Sequence, residues 1–119
     1  MKQSEKALQE DIVTWLRLAL PHALVFQFAR PGGHKALMGA VPVGCPDLLV
    51  IIPGSVETDY ELPKHFFFEV KTLSGRLTIG QEAMWARLGN AGCLGGIVRS
   101  VAAVRKIVVD AGCEPRGGL

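Results

Sequence analysis

The segment HFFFEVK, residues 65–71, constrains the fold of this chain more than any other. Its run of three phenylalanines predicts a buried β-strand. Side chains alternate across a strand, so Phe67, Glu69 and Lys71 share one face, and the residues between them share the other. We expect the second face to pack against the core. The first face carries two charges, which are costly to bury unless they are paired or bound to a ligand.

A second strand is predicted at PDLLVII, residues 46–52, and it opens on Asp47. If the polar loop after it were symmetric about Asp59, the two strands would pair as a hairpin with Asp47 opposite Lys71. Glu69 would then lie diagonally across from Asp47, within reach of its side chain. This idealised register predicts that the three charged side chains converge at one end of the hairpin.

Such a trio has a specific chemistry. Two carboxylates held close together repel each other, and one of them resists ionisation unless a cation lies between them. Oxygen ligands at a partly open site suit Mg²⁺ or Mn²⁺. A neighbouring lysine adds a positive contact, and the set fits metal-assisted hydrolysis of a phosphodiester. The alternative is a plain cross-strand ion pair on a solvated edge, which is common and contributes little.

The rest of the sequence predicts a single mixed α/β domain over residues 1–119, with its core at about 4–110 and a flexible tail at 112–119. Ser4 is a candidate N-cap for a first helix that ends before Pro21. The order is helix, three strands, helix, strand, helix. The further elements are strands at 23–29 and 94–100 and helices at 79–92 and 101–112.

Composition limits the class of protein. The net charge of +2 neither requires nor excludes a nucleic-acid partner. The three cysteines form no CxxC pair, which argues against a disulfide scaffold and a structural zinc site. The N-terminal segment has no apolar signal core, and no apolar run approaches the roughly 18 residues of a membrane span. We therefore expect a soluble cytoplasmic protein with no membrane partner.

The ordered segments "GCPDLLVI" and "FFFEVKT" resemble the PD-(D/E)xK nuclease motif, with Glu69 following Asp47 by 22 positions. Within that superfamily the sequence most resembles the VRR-NUC domain, the virus-type replication and repair nuclease. The opening "SEKALQEDIVTWLR" and the run "FFFEVKTLSGRLTIGQ" carry the likeness, which spans residues 4–110. The resemblance implies a restriction-endonuclease-like fold, in which helices flank a mixed central sheet.

The resemblance also implies roles for individual residues. Asp47 and Glu69 would be metal ligands for Mg²⁺ or Mn²⁺, and the Val70 carbonyl would complete the inner shell. Lys71 would be the catalytic lysine. Gln81 would hydrogen-bond within the site and help to place the lysine or the phosphate.

The family has one further acidic residue on its first helix. Glu5 matches it because Glu5 stands four positions before Gln9, as the family pattern has it. Glu10 is the competing candidate.

Basic residues outside the motif are candidates for DNA binding. Arg30, His34 and Lys35 lie in the Gly- and Pro-rich segment 30–45, and Arg76 follows the motif strand. Arginine suits phosphate through bidentate contacts, although an ordinary solvated loop is the alternative. No aromatic residues are interleaved with these charges, so we expect binding to depend on backbone and shape more than on base sequence.

Together these features predict a metal-dependent, structure-selective DNA endonuclease. The resemblance implies that free-standing members of this size, typically phage-encoded, act as homodimers. Twofold symmetry suits the paired nicks that resolve a four-way (Holliday) junction. Members embedded in larger proteins instead cut flaps. Two other hypotheses stay open: a non-catalytic nucleic-acid-binding module on a nuclease fold, and a sequence-specific restriction enzyme, which the small size disfavours.

Overall fold

The first helix begins where its capping residue predicts. The computed structural model describes residues 3–28, 42–54 and 62–119. The Ser4 side chain accepts a hydrogen bond from the Ala7 N–H at 3.0 Å, and α1 runs from Glu5–Ala19. One face of α1 is buried, and it consists of apolar side chains: Leu8, Ile12, Val13, Leu16 and Ala19. The periodicity of the sequence thus produces an amphipathic helix that packs on the core.

Within residues 3–28, 42–54 and 62–119, four strands form one mixed sheet in the order β1–β2–β3–β4. The first three strands pair antiparallel, and β4 pairs with β3 in parallel. A parallel pair needs a crossover, which α2 supplies. The predicted mixed α/β architecture is confirmed. The strands are Leu24–Gln27, Leu48–Ile52, Lys64–Val70 and Leu94–Val98; the remaining helices are α2 at Ile79–Asn90, α3 at Val101–Asp110 and a 3₁₀ turn at Arg116–Gly118.

The two faces of β3 have the predicted contents. Phe66, Phe68 and Val70 are fully buried in one hydrophobic core that also contains side chains of α1 and α3. Glu69 lies on the opposite face and is buried too, with 1% of its surface exposed. The alternation predicted from the sequence therefore holds, and it leaves a charged residue inside the protein.

The predicted hairpin register is wrong by two residues. Leu48 pairs with Phe68, and Ile52 pairs with Lys64, so the pairing is centred one position earlier than Asp59. Asp47 therefore does not lie opposite Lys71. The strand β3 begins at Lys64, so the connecting segment covers 53–63, and its midpoint is position 58. Since a shift of two preserves the alternation of side chains, every residue stays on its predicted face.

The C-terminal segment follows α3 with a buried Cys113 and the 3₁₀ turn. The Arg105 side chain donates from Nε to the carbonyl oxygen of Leu119 at 2.8 Å. The flexibility expected for residues 112–119 stays a prediction. Among the described residues, no helix has the length and apolar character needed to cross a bilayer.

Candidate metal centre

Three carboxylates from distant parts of the sequence meet at one end of the sheet. Glu5 lies in the first turn of α1, Asp47 immediately precedes β2, and Glu69 is the penultimate residue of β3. One oxygen from each lies within 4.8 Å of the others. Asp47 is 7% exposed and Glu69 is 1% exposed. Clustered oxygen donors of this kind fit a hard divalent cation such as Mg²⁺ or Mn²⁺.

Asp47 is fixed by the main chain on both sides. Its Oδ2 accepts a hydrogen bond from the Val70 N–H at 2.8 Å, and its carbonyl oxygen accepts from the Phe28 N–H at 3.0 Å. The N–H and C=O of one residue in a strand point to the same side. The Val70 carbonyl is therefore directed toward the segment that carries Asp47. Its predicted role as a ligand stays a prediction.

Glu69 carries the clearest electrostatic signal of the site. Its pKa is raised from 4.5 to about 8. Burial is the largest cause, the hydrogen bond and charge of Asp47 and the charge of Glu5 also raise the pKa, and the charge of Lys71 lowers it. Among the described residues, its Oε1 atom is buried with no hydrogen-bond partner. A buried carboxyl among acids needs either a proton or a cation. The orphaned oxygen and the donor set therefore fit a divalent metal ion.

Lys71 extends this charged face by one residue beyond β3 and is only 8% exposed. Its N–H donates to the Val98 carbonyl oxygen at 3.0 Å, which continues the pairing with β4. Its positive charge lowers the pKa of Glu69. Lys71 is thus a buried cation on the strand face that carries Glu69.

Arg99 holds the loop that follows Lys71. Its Nη1 donates to the carbonyl oxygens of Thr72 and Gly75, the latter at 2.7 Å. This residue is not among those predicted from the sequence. More than twenty positions separate it from its acceptors, and no local pattern marks such a long-range contact.

Gln81 reaches the site from the first turn of α2. Its Nε2 donates to Glu69 Oε2 at 3.4 Å, and its backbone N–H donates to the Thr78 hydroxyl at 3.1 Å. Thr78 was also not singled out. Its signal is present in the sequence, because Thr followed three residues later by Gln is the pattern of a capping box.

The two candidates on α1 have different surroundings. Glu5 contributes an oxygen to the carboxylate cluster, whereas Glu10 is exposed and lies outside it. The structure thus brings Glu5 together with Asp47, Glu69, Lys71 and Gln81.

The structure describes one of the four residues predicted to bind DNA. Arg30, His34 and Lys35 lie outside the described residues. Arg76 is exposed in the loop between β3 and α2. Their predicted contacts with phosphate stay predictions.

Cys45 lies close to the acids but outside the ligand cluster. Cys45, Cys93 and Cys113 all lie within the described residues, and none of them forms a disulfide bond. Burial raises the pKa of the Cys45 thiol, followed in importance by the charges of Glu69 and Asp47. The thiol is therefore held in its neutral form, which is the weaker metal ligand.

Comparison of the chain with protein-family models, curated proteins and solved structures finds no match.

Proposed function

We propose that this chain is a metal-dependent DNA endonuclease of the PD-(D/E)xK kind. The observation that carries the proposal is the convergence of Glu5, Asp47 and Glu69 beside the buried Lys71. Buried charges of this kind are costly to maintain and are poor devices for stability. A carboxyl group such as Glu69, whose pKa is raised by burial and by a specific charged neighbour, is a candidate for a functional site.

The residues divide the chemistry among themselves. A bound Mg²⁺ or Mn²⁺ would neutralise phosphate charge and make an attacking water more acidic. Asp47 and Glu69 supply the anionic oxygens that hold such an ion. The Lys71 ammonium faces the same space and stabilises the negative charge that develops on the phosphate. The low exposure of these side chains excludes bulk water and strengthens each interaction.

The preferred substrate in this proposal is a four-way DNA junction cut by a homodimer. The resemblance to free-standing nucleases supports this choice, and cleavage of flaps is the alternative. A binding module without activity is a further alternative from a different class of protein. The lysine beside the acids favours catalysis, because binding alone does not require all of these groups.

The test is cleavage of labelled four-way junction, 5′-flap and linear duplex DNA in Mg²⁺, Mn²⁺ or EDTA. The key variant is Asp47→Asn, which keeps an oxygen for the Val70 N–H but removes the charge. We expect symmetric, metal-dependent nicks in the junction and a loss of roughly 100-fold or more in the variant. Glu10→Gln is the matched control, because it removes an exposed acid from α1.

Lys71→Met extends the same experiment. Methionine keeps the aliphatic stem, so we expect slow turnover with Mn²⁺ binding retained. Full activity in either site variant would remove the assignment. Binding of the junction without any cleavage would favour the non-catalytic module.

A further inference from the structure

The first turn of α2 contacts the segment that precedes Asp47 through main-chain atoms. A Cβ atom added to Gly44, whose φ is +79°, would lie 2.2 Å from the carbonyl oxygen of Gly80. A Cβ atom on Gly80 would lie 3.2 Å from Val43 Cγ1. No residue of α2 is fully buried. The close contact between two glycines therefore fixes the depth at which this turn docks beside Asp47.

The capping box of α2 fixes the orientation of the Gln81 amide. The Thr78 N–H donates to Gln81 Oε1 at 2.9 Å, and the Thr78 hydroxyl accepts from the Gln81 N–H at 3.1 Å. Because Oε1 is already engaged, the NH₂ group must point the other way. It donates there to Glu69 Oε2 at 3.4 Å. The other oxygen of Glu69, Oε1, is buried and has no partner among the described residues.

We propose that the first turn of α2 gives the two oxygens of Glu69 different roles. Oε2 accepts the hydrogen bond from Gln81, and Oε1 is left to bind the cation. The inference rests on the proposed metal-dependent function and adds to it a positioning residue, Thr78. Thr78 does not touch the carboxylates. It acts through Gln81 in two ways: its N–H fixes which end of the amide faces Glu69, and its hydroxyl holds the Gln81 main chain from which that amide extends. Substitution of Thr78 by alanine removes the second of these contacts.

The physical benefit is preorganisation of a ligand. A carboxylate whose one oxygen accepts a hydrogen bond from a fixed amide is restricted in its rotation, and the oxygen without a partner is then directed toward the ion. Hydrogen-bonding partners behind a ligand typically change metal affinity by 10- to 100-fold. A cap that served only the helix would not alter metal affinity at all.

The experiment is titration of Mn²⁺ followed by electron paramagnetic resonance of the free ion, with no DNA present. We expect Thr78→Ala to bind Mn²⁺ about tenfold more weakly than the wild type. Thr78→Ser keeps a hydroxyl and should bind within twofold of the wild type. Ser100→Ala is the matched control, because the Ser100 side chain caps α3 through the Ala103 N–H at 3.1 Å. It loses an equivalent cap, and we expect unchanged Mn²⁺ affinity.

A second variant shows whether Thr78 acts through the amide. Gln81→Met removes both hydrogen bonds of the side chain, and Thr78→Ala should cause no further loss in that background. Equal Mn²⁺ affinity of Thr78→Ala, Ser100→Ala and the wild type would overturn the inference and leave the metal site intact. Absence of Mn²⁺ binding by the wild type would instead overturn the proposed function, and the inference with it.

Discussion

Glu69 is a carboxyl group that the fold keeps from water and surrounds with other charged groups. Its pKa in the folded protein is about 8, against an ordinary value of 4.5, chiefly because it is buried. The folded protein therefore holds a proton on this group more tightly than the unfolded chain does. The stability that this proton contributes is present below pH 4.5 and is lost as the pH rises toward 8.

We predict that, in the absence of metal, the stability of the folded protein decreases between these two pH values. In EDTA, the free energy of unfolding of the wild type should decrease between about pH 4.5 and pH 8 and then level off. Glu69→Gln should remove most of this decrease, because the amide does not titrate. Urea unfolding at a series of pH values measures the effect.

The control for this prediction is Glu10→Gln, which removes an exposed acid of the same helix that carries Glu5. Its pH profile should follow that of the wild type. A Glu69→Gln profile that also followed the wild type would show that another group causes the decrease.

Individual side chains differ in how well their positions follow from sequence. The positions of Ser4 and Asp47 could be predicted, because a helix N-cap and the start of an apolar strand each leave a local pattern in the sequence. The capping role of Thr78 could have been predicted from its three-residue spacing to Gln81, but it was not. Arg99 was not readable, since its acceptors in the loop after β3 are brought to it only by the parallel pairing of β3 with β4.

Among the elements, β4 approaches β3 at a position where only glycine fits. Gly95 pairs with Phe67 and has φ of +113°, and a Cβ atom there would lie 1.9 Å from the Phe67 carbonyl oxygen. Gly96 is the next residue of the same strand. A Cβ atom on Gly96 would meet Ile107 Cδ1 of α3 at 3.7 Å, an ordinary contact. Position 95 therefore requires glycine, whereas position 96 has room for a Cβ atom.

These glycines form a matched pair of variants. Gly95→Ala should destabilise the protein by roughly 3 kcal/mol or more, because it combines a backbone clash with a strained φ. Gly96→Ala should change stability by less than about 1 kcal/mol. Urea denaturation of both variants measures the difference. Equal effects would contradict the close pairing of β4 with β3.

The elements also show where sequence-based prediction reaches its limit. Within the described part of the chain, the type and order of the α-helices and strands followed from periodicity and capping signals, whereas the 3₁₀ turn at Arg116–Gly118 was not predicted. The register of β2 against β3 did not, because no residue in the intervening loop specifies its centre. The faces of Glu69 and Lys71 were nevertheless predicted correctly, since alternation depends on parity and not on the exact pairing.

Across the domain, the candidate metal centre joins segments that are far apart in the chain. Its acids come from the first turn of α1, the start of β2 and the end of β3. None of these segments alone brings two of the acids together. A cation bound there would therefore link α1 to the sheet, and it would bind the folded protein much more tightly than the unfolded chain.

The prediction is a stabilisation by metal that depends on all three acids. At a free Mn²⁺ concentration of about 100 times the dissociation constant, the free energy of unfolding should rise by about 2.7 kcal/mol. Glu5→Gln should reduce this increase, and Asp47→Asn should abolish it. Thermal unfolding with and without Mn²⁺ measures the shift in Tm.

Glu10→Gln again serves as the control and should keep the full increase. An increase of the same size in Glu5→Gln would show that Glu5 is a bystander in the cluster. An increase in Asp47→Asn would place the bound Mn²⁺ elsewhere on the protein.

The acids lie at one end of the β2–β3 pair, and the segment that connects the two strands begins and ends at the other end, at Ile52 and Lys64. Changes in chain length therefore have unequal consequences at the two ends. Residues added after Gly54 lengthen the connection and do not alter the pairing of the strands. A single residue added within Leu48–Ile52 would reverse the faces of the strand beside the insertion and separate Asp47 from its partner Val70. We therefore expect a peptide fused between Gly54 and Leu62 to leave the three acids in place.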